Sequence, residues 1–293
     1  MTQERERFGV DPICKVLQVA PRTIRAHLAR PACQRELDDA VLAPKIAACF
    51  DANYRCYGYR KICAALARED VTIGSDRCRR LMREAGIQGA RRGKRVRTTI
   101  PDKHAVRAPD LVKRAFVASR PDQLWVNDFT YCSTWQGWLY VAFLLDVYSR
   151  KIVGWKATTT MTADLTIGAL DIAIWRRDRP LNGLVAHSDA GSQYTAMRYT
   201  QRLADIGAVP SIGTVGDSYD NAMVESFNGI YKTELVKPFG PWKTTAQLEF
   251  ATFEYIDWYN NRRLHEQLGM ITPIEKEAAY YHQHQDQQQL ILT

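Results

Sequence analysis

The chain has 293 residues, of which 46% are hydrophobic and 25% charged, so it is long enough to bury more than one core. No apolar run approaches the length of a membrane span, and the first five residues do not resemble a signal peptide. The net charge of +8 lies in the front half, where residues 1–110 carry 23 Lys and Arg against 13 Asp and Glu. Residues 111–293 carry 17 against 19, so we expect a polyanion-binding front half and a back half with another task.

The cysteines argue against two other classes of protein. There are seven, scattered along the chain without a CxxC pair. This pattern predicts neither a disulfide framework nor a zinc knuckle, and it favours a reducing, cytoplasmic setting.

Two pairs of short helices are predicted at the front of the chain. Residues 11–17 and 21–28 suit a helix-turn-helix as well as any small helical hairpin. The second pair covers residues 58–70 and 75–85, with Ser75 as the helix cap. Its last helix has an apolar face formed by Cys78, Leu81, Met82 and Ala85. The opposite face carries Arg77, Arg80 and Arg83, which we expect to contact DNA phosphates rather than only solvent.

A basic linker follows the helices. Its five cations within seven residues are Arg91, Arg92, Lys94, Arg95 and Arg97. A run without hydrophobic periodicity is typical of an exposed segment that binds nucleic acid through its charge alone. The predicted divisions of the front half are residues 1–40, 41–90 and 91–115.

Three consecutive strands are predicted next, starting at Leu124 and joined first by a turn at Gln136-Gly137. Asp128 lies in the first of them, where an ionised carboxylate needs a partner. A salt bridge or a strand-end position would explain one such residue. A helix from residue 162, a strand over 184–189, a helix over 194–206 and a strand over 209–212 follow, and Asp189 lies at a strand tip before a Gly-containing loop.

The helix predicted over residues 220–235 has two stripes. Its apolar stripe is formed by Val224, Phe227, Tyr231 and Leu235. A neighbouring polar stripe is formed by Asn221, Glu225, Asn228 and Lys232. Glu225 would therefore be held on a rigid helix against a sheet that carries Asp128 and Asp189. Three carboxylates without a Cys or His cluster favour Mg²⁺ or Mn²⁺ over zinc.

Four motifs in this order carry a resemblance to a known family. They are WVNDFTY, HSDAGSQY, GDSYDNAMVESFNGIYKTEL and YNNRRLHEQLGMITP, and 35 residues separate Asp189 from Glu225. The pattern resembles the D,D(35)E core of retroviral-type integrases, and the flanking text is similar to the downstream-frame product of IS3-family insertion-sequence transposases. The segment NYRCYGYRKI…RRLMREAGIQG resembles the helix-turn-helix of that family.

The resemblance implies an α/β fold: an RNase H-like mixed five-stranded sheet flanked by helices and preceded by all-α helix-turn-helix segments. It implies that Asp128, Asp189 and Glu225 hold two Mg²⁺ or Mn²⁺ ions per active site. Lys232 would hold a phosphate, and Asn221 and Asn228 would support the carboxylates or contact DNA. The implied activity is cleavage at element ends and strand transfer into target DNA. The implied partners are double-stranded DNA, further copies of the chain on that DNA, and the upstream-frame product of the same element.

Other polar residues of the back half are expected to be structural. His187 is expected to pack or to orient a neighbour, Asp146 to end a strand, and Asp220 to cap the helix that carries Glu225.

The divisions predicted for the back half are a core over residues 116–240, a helical extension over 241–281 and a polar tail over 282–293 without assigned structure. In the extension, a helix follows Thr244 with one face formed by Leu248, Ala251, Tyr255 and Trp258. Residues 260–265 at its end are candidates for DNA contact.

Two other functions fit parts of this pattern. A DNA-binding regulator would use the basic front half and carry an inactive core. A structure-specific nuclease of the same fold would cut nucleic acid without joining strands.

Overall fold

The computed structural model of the chain describes residues 8–91, 112, 116–188, 197–212 and 222–291. The N-terminal part contains α1 (Val10–Leu17), α2 (Pro21–Ala29), α3 (Gln34–Ala52), α4 (Tyr59–Ala67) and α5 (Ser75–Glu84). Both predicted helix pairs are confirmed, as α1 with α2 and as α4 with α5. None of the helices within the described ranges is both long enough and apolar enough to cross a membrane.

Helix α3 has no counterpart among the predicted elements, and it runs across the predicted boundary at residues 40–41. Pro44 lies inside it, and a proline ordinarily ends a helix. The start of α3 is fixed by the Glu36 side chain, which accepts a hydrogen bond from the Cys33 amide at 2.7 Å.

Helices α3, α4 and α5 share one small core. Its buried members include Ile46, Cys49, Ile62, Leu66, Cys78, Leu81 and Met82. The predicted inner face of α5 is confirmed except at Ala85, which is exposed. The predicted cap is wrong, because α5 begins at Ser75 and Gly74 occupies the cap position without a side-chain hydrogen bond. All seven cysteines of the chain are free thiols.

Five strands form one mixed sheet in the order β3-β2-β1-β4-β5, which confirms the predicted architecture. They are β1 (Leu124–Thr134), β2 (Gly137–Asp146), β3 (Ile152–Thr158), β4 (Val185–Ser188) and β5 (Val209–Ile212). The first three strands are antiparallel neighbours, whereas β4 pairs in parallel with both β1 and β5. Thr134 pairs with Gly137, so the first turn is Trp135-Gln136, one residue earlier than predicted.

The longer helices that the structure describes in the back half are α6 (Ala163–Arg177), α7 (Met197–Asp205), α8 (Ala222–Tyr231), α9 (Thr245–Asn261) and α10 (Pro273–Ile291). Helix α6 connects β3 to β4, and α7 lies in the connection between the parallel neighbours β4 and β5, where parallel pairing requires a crossover. Helix α6 lies so close to β3 that a Cβ at Gly154 would come within 2.2 Å of the Ala169 carbonyl oxygen.

The sheet is covered by helices on both faces. On one face, α8 and α9 pack against β1 and β2, with Val126, Phe143 and Tyr231 in the shared core. On the other face, α6 and α7 bury Trp125 and Leu144. The sheet interior is therefore apolar on both sides, and a polar side chain within it needs a dedicated partner.

Helix α9 is confirmed in position and orientation. The Thr244 hydroxyl caps it by accepting a hydrogen bond from the Gln247 amide at 3.0 Å. Leu248, Tyr255 and Trp258 are buried as predicted.

The polar tail, to which the sequence assigns no structure, is helical as far as Ile291, where α10 ends. Its composition shows no apolar periodicity, but glutamine is a good helix former. The first half of the helix is anchored by Glu277, which forms ion pairs with Lys151 and Arg177.

The N-terminal helices dock directly on the end of α9. The Tyr57 hydroxyl accepts a hydrogen bond from the Leu264 amide at 2.8 Å and donates one to the Arg262 carbonyl at 3.4 Å. The Trp258 indole donates to the Asn53 side chain at 3.3 Å. Tyr57 and Trp258 are both buried. The contact is thus an apolar one with satisfied polar groups, and it joins the front and back halves of the chain.

Candidate active site

Asp128 lies in β1, the central strand, opposite Phe143 of β2. Two donors among the described residues bond to its half-buried carboxylate. Oδ1 accepts one from the Phe129 amide at 2.8 Å, and Oδ2 accepts one from the Asn228 side-chain amide at 2.8 Å. A carboxylate in an apolar strand is costly without such bonds, so these two donors support its position.

Helix α8 carries the second predicted carboxylate. Glu225 is half-buried and lies one helical turn before Asn228. Side chains three positions apart lie on the same face of a helix. The bond from Asn228 to Asp128 therefore turns the Glu225 face of α8 toward β1.

The apolar stripe of α8 fixes this orientation. Val224, Phe227 and Tyr231 are buried, as predicted, and Leu235 is buried in the segment that follows α8. The ring of Phe227 meets that of Phe143 edge to face, with 4.8 Å between centroids. Because Phe143 is the strand partner of Asp128, the same contact sets the height of α8 above the carboxylate.

The third predicted carboxylate, Asp189, and Asn221 lie outside the described residues. Strand β4 brings the described chain close to Asp128, since Ser188 pairs with Asn127 in parallel register. In the sequence, each of these two residues is followed directly by a predicted catalytic aspartate. Within the ranges that the structure covers, no three His, Cys, Asp or Glu side chains meet as a metal-binding group.

Lys232 follows α8 and begins a five-residue π-helix, Lys232–Val236. Its ammonium lies 5.0 Å from the centroid of the Tyr131 ring, within the range of a cation–π contact. It lies two helical turns after Glu225, on the same side of the helix. A π-helix inserted in an α-helix is frequent at functional sites.

The inner side of the π-helix holds a buried ion pair that the sequence did not reveal. Glu234 accepts hydrogen bonds from Arg263 at 2.7 and 2.8 Å and from the Tyr255 hydroxyl at 2.9 Å. Burial raises the pKa of the Glu234 carboxyl, but the attraction of Arg263 outweighs it and the pKa lies below its ordinary value. Burial also lowers the pKa of His265 beside this pair to about 2, so the ring is neutral.

The prediction that residues 260–265 contact DNA is wrong for most of this segment, because most of its side chains are buried. Asn260, Arg263, Leu264 and His265 are all buried in the fold. Only Asn261 and Arg262 of this segment are exposed.

Two predictions of structural roles are confirmed. His187 is buried in β4, where its Nδ1 lies 2.9 Å from the Ser211 hydroxyl. Asp146 is the last residue of β2, and its carboxylate accepts hydrogen bonds from the Ser149 amide and hydroxyl at 2.8 and 2.7 Å. Burial raises the pKa of the Asp146 carboxyl against those bonds. Asp220 lies outside the described residues.

The predicted DNA-binding arginines of α5 differ in their surroundings. Arg77 and Arg80 both form ion pairs with Asp39 of α3, at 2.7 and 2.6 Å, and Arg80 also reaches Glu84 at 3.0 Å. Arg83 is exposed. In the linker, Arg91 is exposed, whereas Arg92, Lys94, Arg95 and Arg97 lie outside the described residues.

Three domain families match parts of the chain. Two integrase core domain families match residues 118–218 and 207–273, and an HTH-like domain family matches residues 36–95. The sheet order and its flanking helices, together with these matches, make the back half an RNase H-like integrase core.

Named relatives cover the same span. The transposase for insertion sequence element IS629 of Shigella sonnei is 48% identical over 283 residues, which are 94% of each chain. The transposase for insertion sequence element IS3411 of Escherichia coli is 42% identical over 61% of this chain and 77% of that protein. Among solved structures, the HTLV-2 integrase catalytic core domain in complex with magnesium is 18% identical, covers 54% of this chain and 98% of that domain, and has a TM-score of 0.41. The chain belongs to the IS3-family insertion-sequence transposases.

Proposed function

We propose that this transposase cleaves DNA at the ends of its insertion sequence and transfers the cut strands into target DNA, with Asp128, Asp189 and Glu225 as the catalytic residues. The proposal takes double-stranded DNA as the substrate. It takes further copies of the chain on that DNA, and the upstream-frame product of the element, as partners.

One observation carries the assignment of the site: the 2.8 Å hydrogen bond from Asn228 to Asp128. It joins the helix that bears Glu225 to the strand that bears Asp128, although about a hundred residues separate them in sequence. The parallel pairing of Asn127 with Ser188 supports the third position, because covalent geometry keeps Asp189 within about 4 Å, Cα to Cα, of Ser188.

The chemistry of the donor set suits a hard divalent cation. Asp128 and Glu225 are half-buried carboxylates at a polar site, and the proposed donor set contains neither cysteine nor histidine. Asp128, Asp189 and Glu225 would hold two Mg²⁺ or Mn²⁺ ions, which when bound lower the pKa of an attacking water or 3′-hydroxyl and stabilise the leaving oxygen.

The surrounding residues supply position. Asn228 holds one carboxylate oxygen of Asp128 in a fixed direction. Lys232 would hold a DNA phosphate near the carboxylates, and Asn221 would contact DNA beside them. No side-chain nucleophile is required, since water and then a DNA 3′-hydroxyl attack the phosphorus directly.

DNA would be held mainly by the front half. Arg83 and the linker cations Arg91, Arg92, Lys94, Arg95 and Arg97 would contact phosphates. Arg77 and Arg80 would contribute less than two full charges, because Asp39 neutralises part of their charge.

The test uses a duplex that carries the terminal repeat of the element itself, a plasmid target and Mg²⁺. Wild-type protein should nick the repeat and, with a pre-cut 3′-hydroxyl end, join it to the plasmid. Glu225→Gln should bind the repeat with unchanged affinity and lower the rates of cleavage and joining by at least about 10³-fold.

The control is Glu249→Gln, since Glu249 is an exposed residue of α9 outside the site. If the Glu225→Gln variant keeps full activity, the site assignment is wrong. Cleavage without any joined product would identify a nuclease, and repeat binding without either reaction would identify a regulator.

A further inference from the structure

An exposed group of aromatic rings lies beside the proposed site on β1 and β2. Tyr131 is 43% exposed and Trp138 is 51% exposed, and their rings meet edge to face with 5.2 Å between centroids. Tyr140 is directly opposite Tyr131 in the sheet, and the centroids of these two rings are 6.5 Å apart. We call the pair Tyr131 and Trp138 the aromatic surface.

The aromatic surface lies close to Asp128 along the strand. Tyr131 follows Asp128 by three residues of β1, a distance of about 10 Å in an extended strand. Because side chains alternate between the two faces, Tyr131 points to the face opposite Asp128. Strand β4 ends its pairing with β1 at Asn127, so β1 has no described strand neighbour on that side at Tyr131.

A cation lies close to Tyr131 at this part of β1. Lys232 directly follows α8, and its ammonium lies 5.0 Å from the centroid of the Tyr131 ring. Both rings of the aromatic surface keep about half of their area open to solvent. An ammonium beside exposed rings combines the two groups that bind single-stranded nucleic acid: a phosphate contact and a base-stacking surface.

We propose that the aromatic surface stacks on an unpaired nucleobase of the DNA strand whose phosphate Lys232 holds. This rests on the proposed function, since it assumes that Lys232 faces DNA. The ligand is a single-stranded nucleotide next to the cleavage position, such as one at a frayed or cut end. Stacking on aromatic rings tolerates any base, so the contact would favour unpaired DNA without reading its sequence.

The test measures binding and needs no catalysis. The probe is fluorescein-labelled oligothymidylate of about 16 nucleotides, with a duplex of the same length for comparison, in buffer with a chelator. Tyr131→Ala and Trp138→Ala should each weaken oligothymidylate binding by about tenfold or more and leave duplex binding unchanged. Trp138→Phe should retain the affinity, because the phenyl ring still stacks.

Two matched variants separate stacking from other effects. Trp175→Ala removes a tryptophan that is 80% exposed on α6, away from the site, and should bind oligothymidylate like the wild type. Lys232→Gln should lower the slope of log affinity against log salt by about 0.7, whereas the two alanine variants should leave that slope unchanged.

Three results would overturn the inference. The first is unchanged oligothymidylate affinity in both alanine variants, and the second is a wild-type protein that does not bind oligothymidylate. The third is a wild-type dimer that Trp138→Ala dissociates without changing oligothymidylate affinity, which would make the aromatic surface a contact between copies of the chain. Loss of Mg²⁺-dependent cleavage in Glu225→Gln is a separate readout, so the two proposals can fail independently.

Discussion

The hydrogen bond between Asn228 and Asp128 gives a strand aspartate a defined orientation. An ionised carboxylate inside a sheet otherwise rotates or finds another partner. Residues that hold a metal-binding carboxylate in place typically change metal affinity or activity by about 10–100-fold when they are removed. Asn228 would therefore act as a positioning residue for Asp128.

We expect Asn228→Ala to lower the rate of Mg²⁺-dependent cleavage by about 10–100-fold and to raise the Mg²⁺ concentration required for half-maximal activity. A metal titration of initial rates checks this. The matched control is Asn261→Ala, which removes an exposed asparagine bonded to Asp257 and should leave both values unchanged. An unaltered metal requirement in Asn228→Ala would remove this role from the residue.

Glu234 illustrates a buried carboxylate with a structural role. Its folded-state pKa lies below the ordinary value, so it binds its proton more weakly in the folded than in the unfolded chain. Its contribution to stability is therefore present at pH values above the unfolded pKa of about 4.5 and is lost as the pH falls through the lower folded pKa.

Replacing Glu234 by Gln should lower the free energy of unfolding by about 3–5 kcal/mol at pH 7, because Arg263 is left as an uncompensated buried charge. Urea unfolding at pH 7 and at acidic pH checks both value and sign: the difference between variant and wild type should shrink on acidification. A variant difference that grows toward low pH would contradict this role of the pair.

Among the helices and strands, α8 was predictable because its apolar residues follow the helical period. The change to a π-helix at Lys232 was not, because the apolar stripe continues at the same spacing to Leu235. The strands β1 to β3 were predictable from their β-branched and aromatic content. Helix α3 was not, because Pro44 interrupts its pattern. Helix α10 was not predictable, because the polar sequence of its second half has no apolar residues at helical spacing.

The sequence predicts the residue types and the spacing of the proposed site, but it does not predict the hydrogen bonds that hold those residues in place. A sequence pattern places Glu225 and Asn228 on one stripe, yet it cannot say which of them bonds to Asp128. Nor does it distinguish Arg263, which is buried against Glu234, from its exposed neighbour Arg262. Such pairings depend on three-dimensional packing between segments that are distant in sequence.

The contact between α9 and the N-terminal helices should make a measurable contribution to the free energy of unfolding. Tyr57→Phe should lower the free energy of unfolding by about 1–3 kcal/mol, since it leaves the buried Leu264 amide without its acceptor. Urea unfolding measures this change. Tyr148→Phe serves as control, because that substitution keeps the ring contact with Tyr280, and it should be nearly neutral. Equal stability of the two variants would mean that the hydroxyl contributes nothing to docking.

In the whole molecule, the HTH-like region contacts the integrase core directly, in addition to the linker that connects the two in sequence. Ion pairs at 2.6 Å between Arg60 and Glu266 and at 2.7 Å between Arg68 and Glu275 border this contact. Exposed pairs of this kind contribute little stability, so the buried Tyr57 and Trp258 carry it. DNA bound by the front half would consequently be presented to the core at a set position.

The basic linker gives a salt-dependent contribution to DNA binding. Replacing Arg91, Arg92, Lys94, Arg95 and Arg97 by Gln should flatten the slope of log affinity against log salt by up to about 0.9 for each phosphate that these cations neutralise. Fluorescence anisotropy of a labelled duplex between about 50 and 200 mM salt measures that slope. An unchanged slope would show that these cations do not contact DNA.

Whether Asp128, Asp189 and Glu225 bind two metal ions is tested most directly by a crystal structure. The crystals would be grown with Mn²⁺, and anomalous scattering would be recorded at the manganese edge. We predict two anomalous peaks within about 2.0–2.3 Å of carboxylate oxygens from Asp128, Asp189 and Glu225, and loss of the peaks in Asp128→Asn. Manganese bound elsewhere, or peaks that do not involve both Asp128 and Glu225, would contradict the proposed active site.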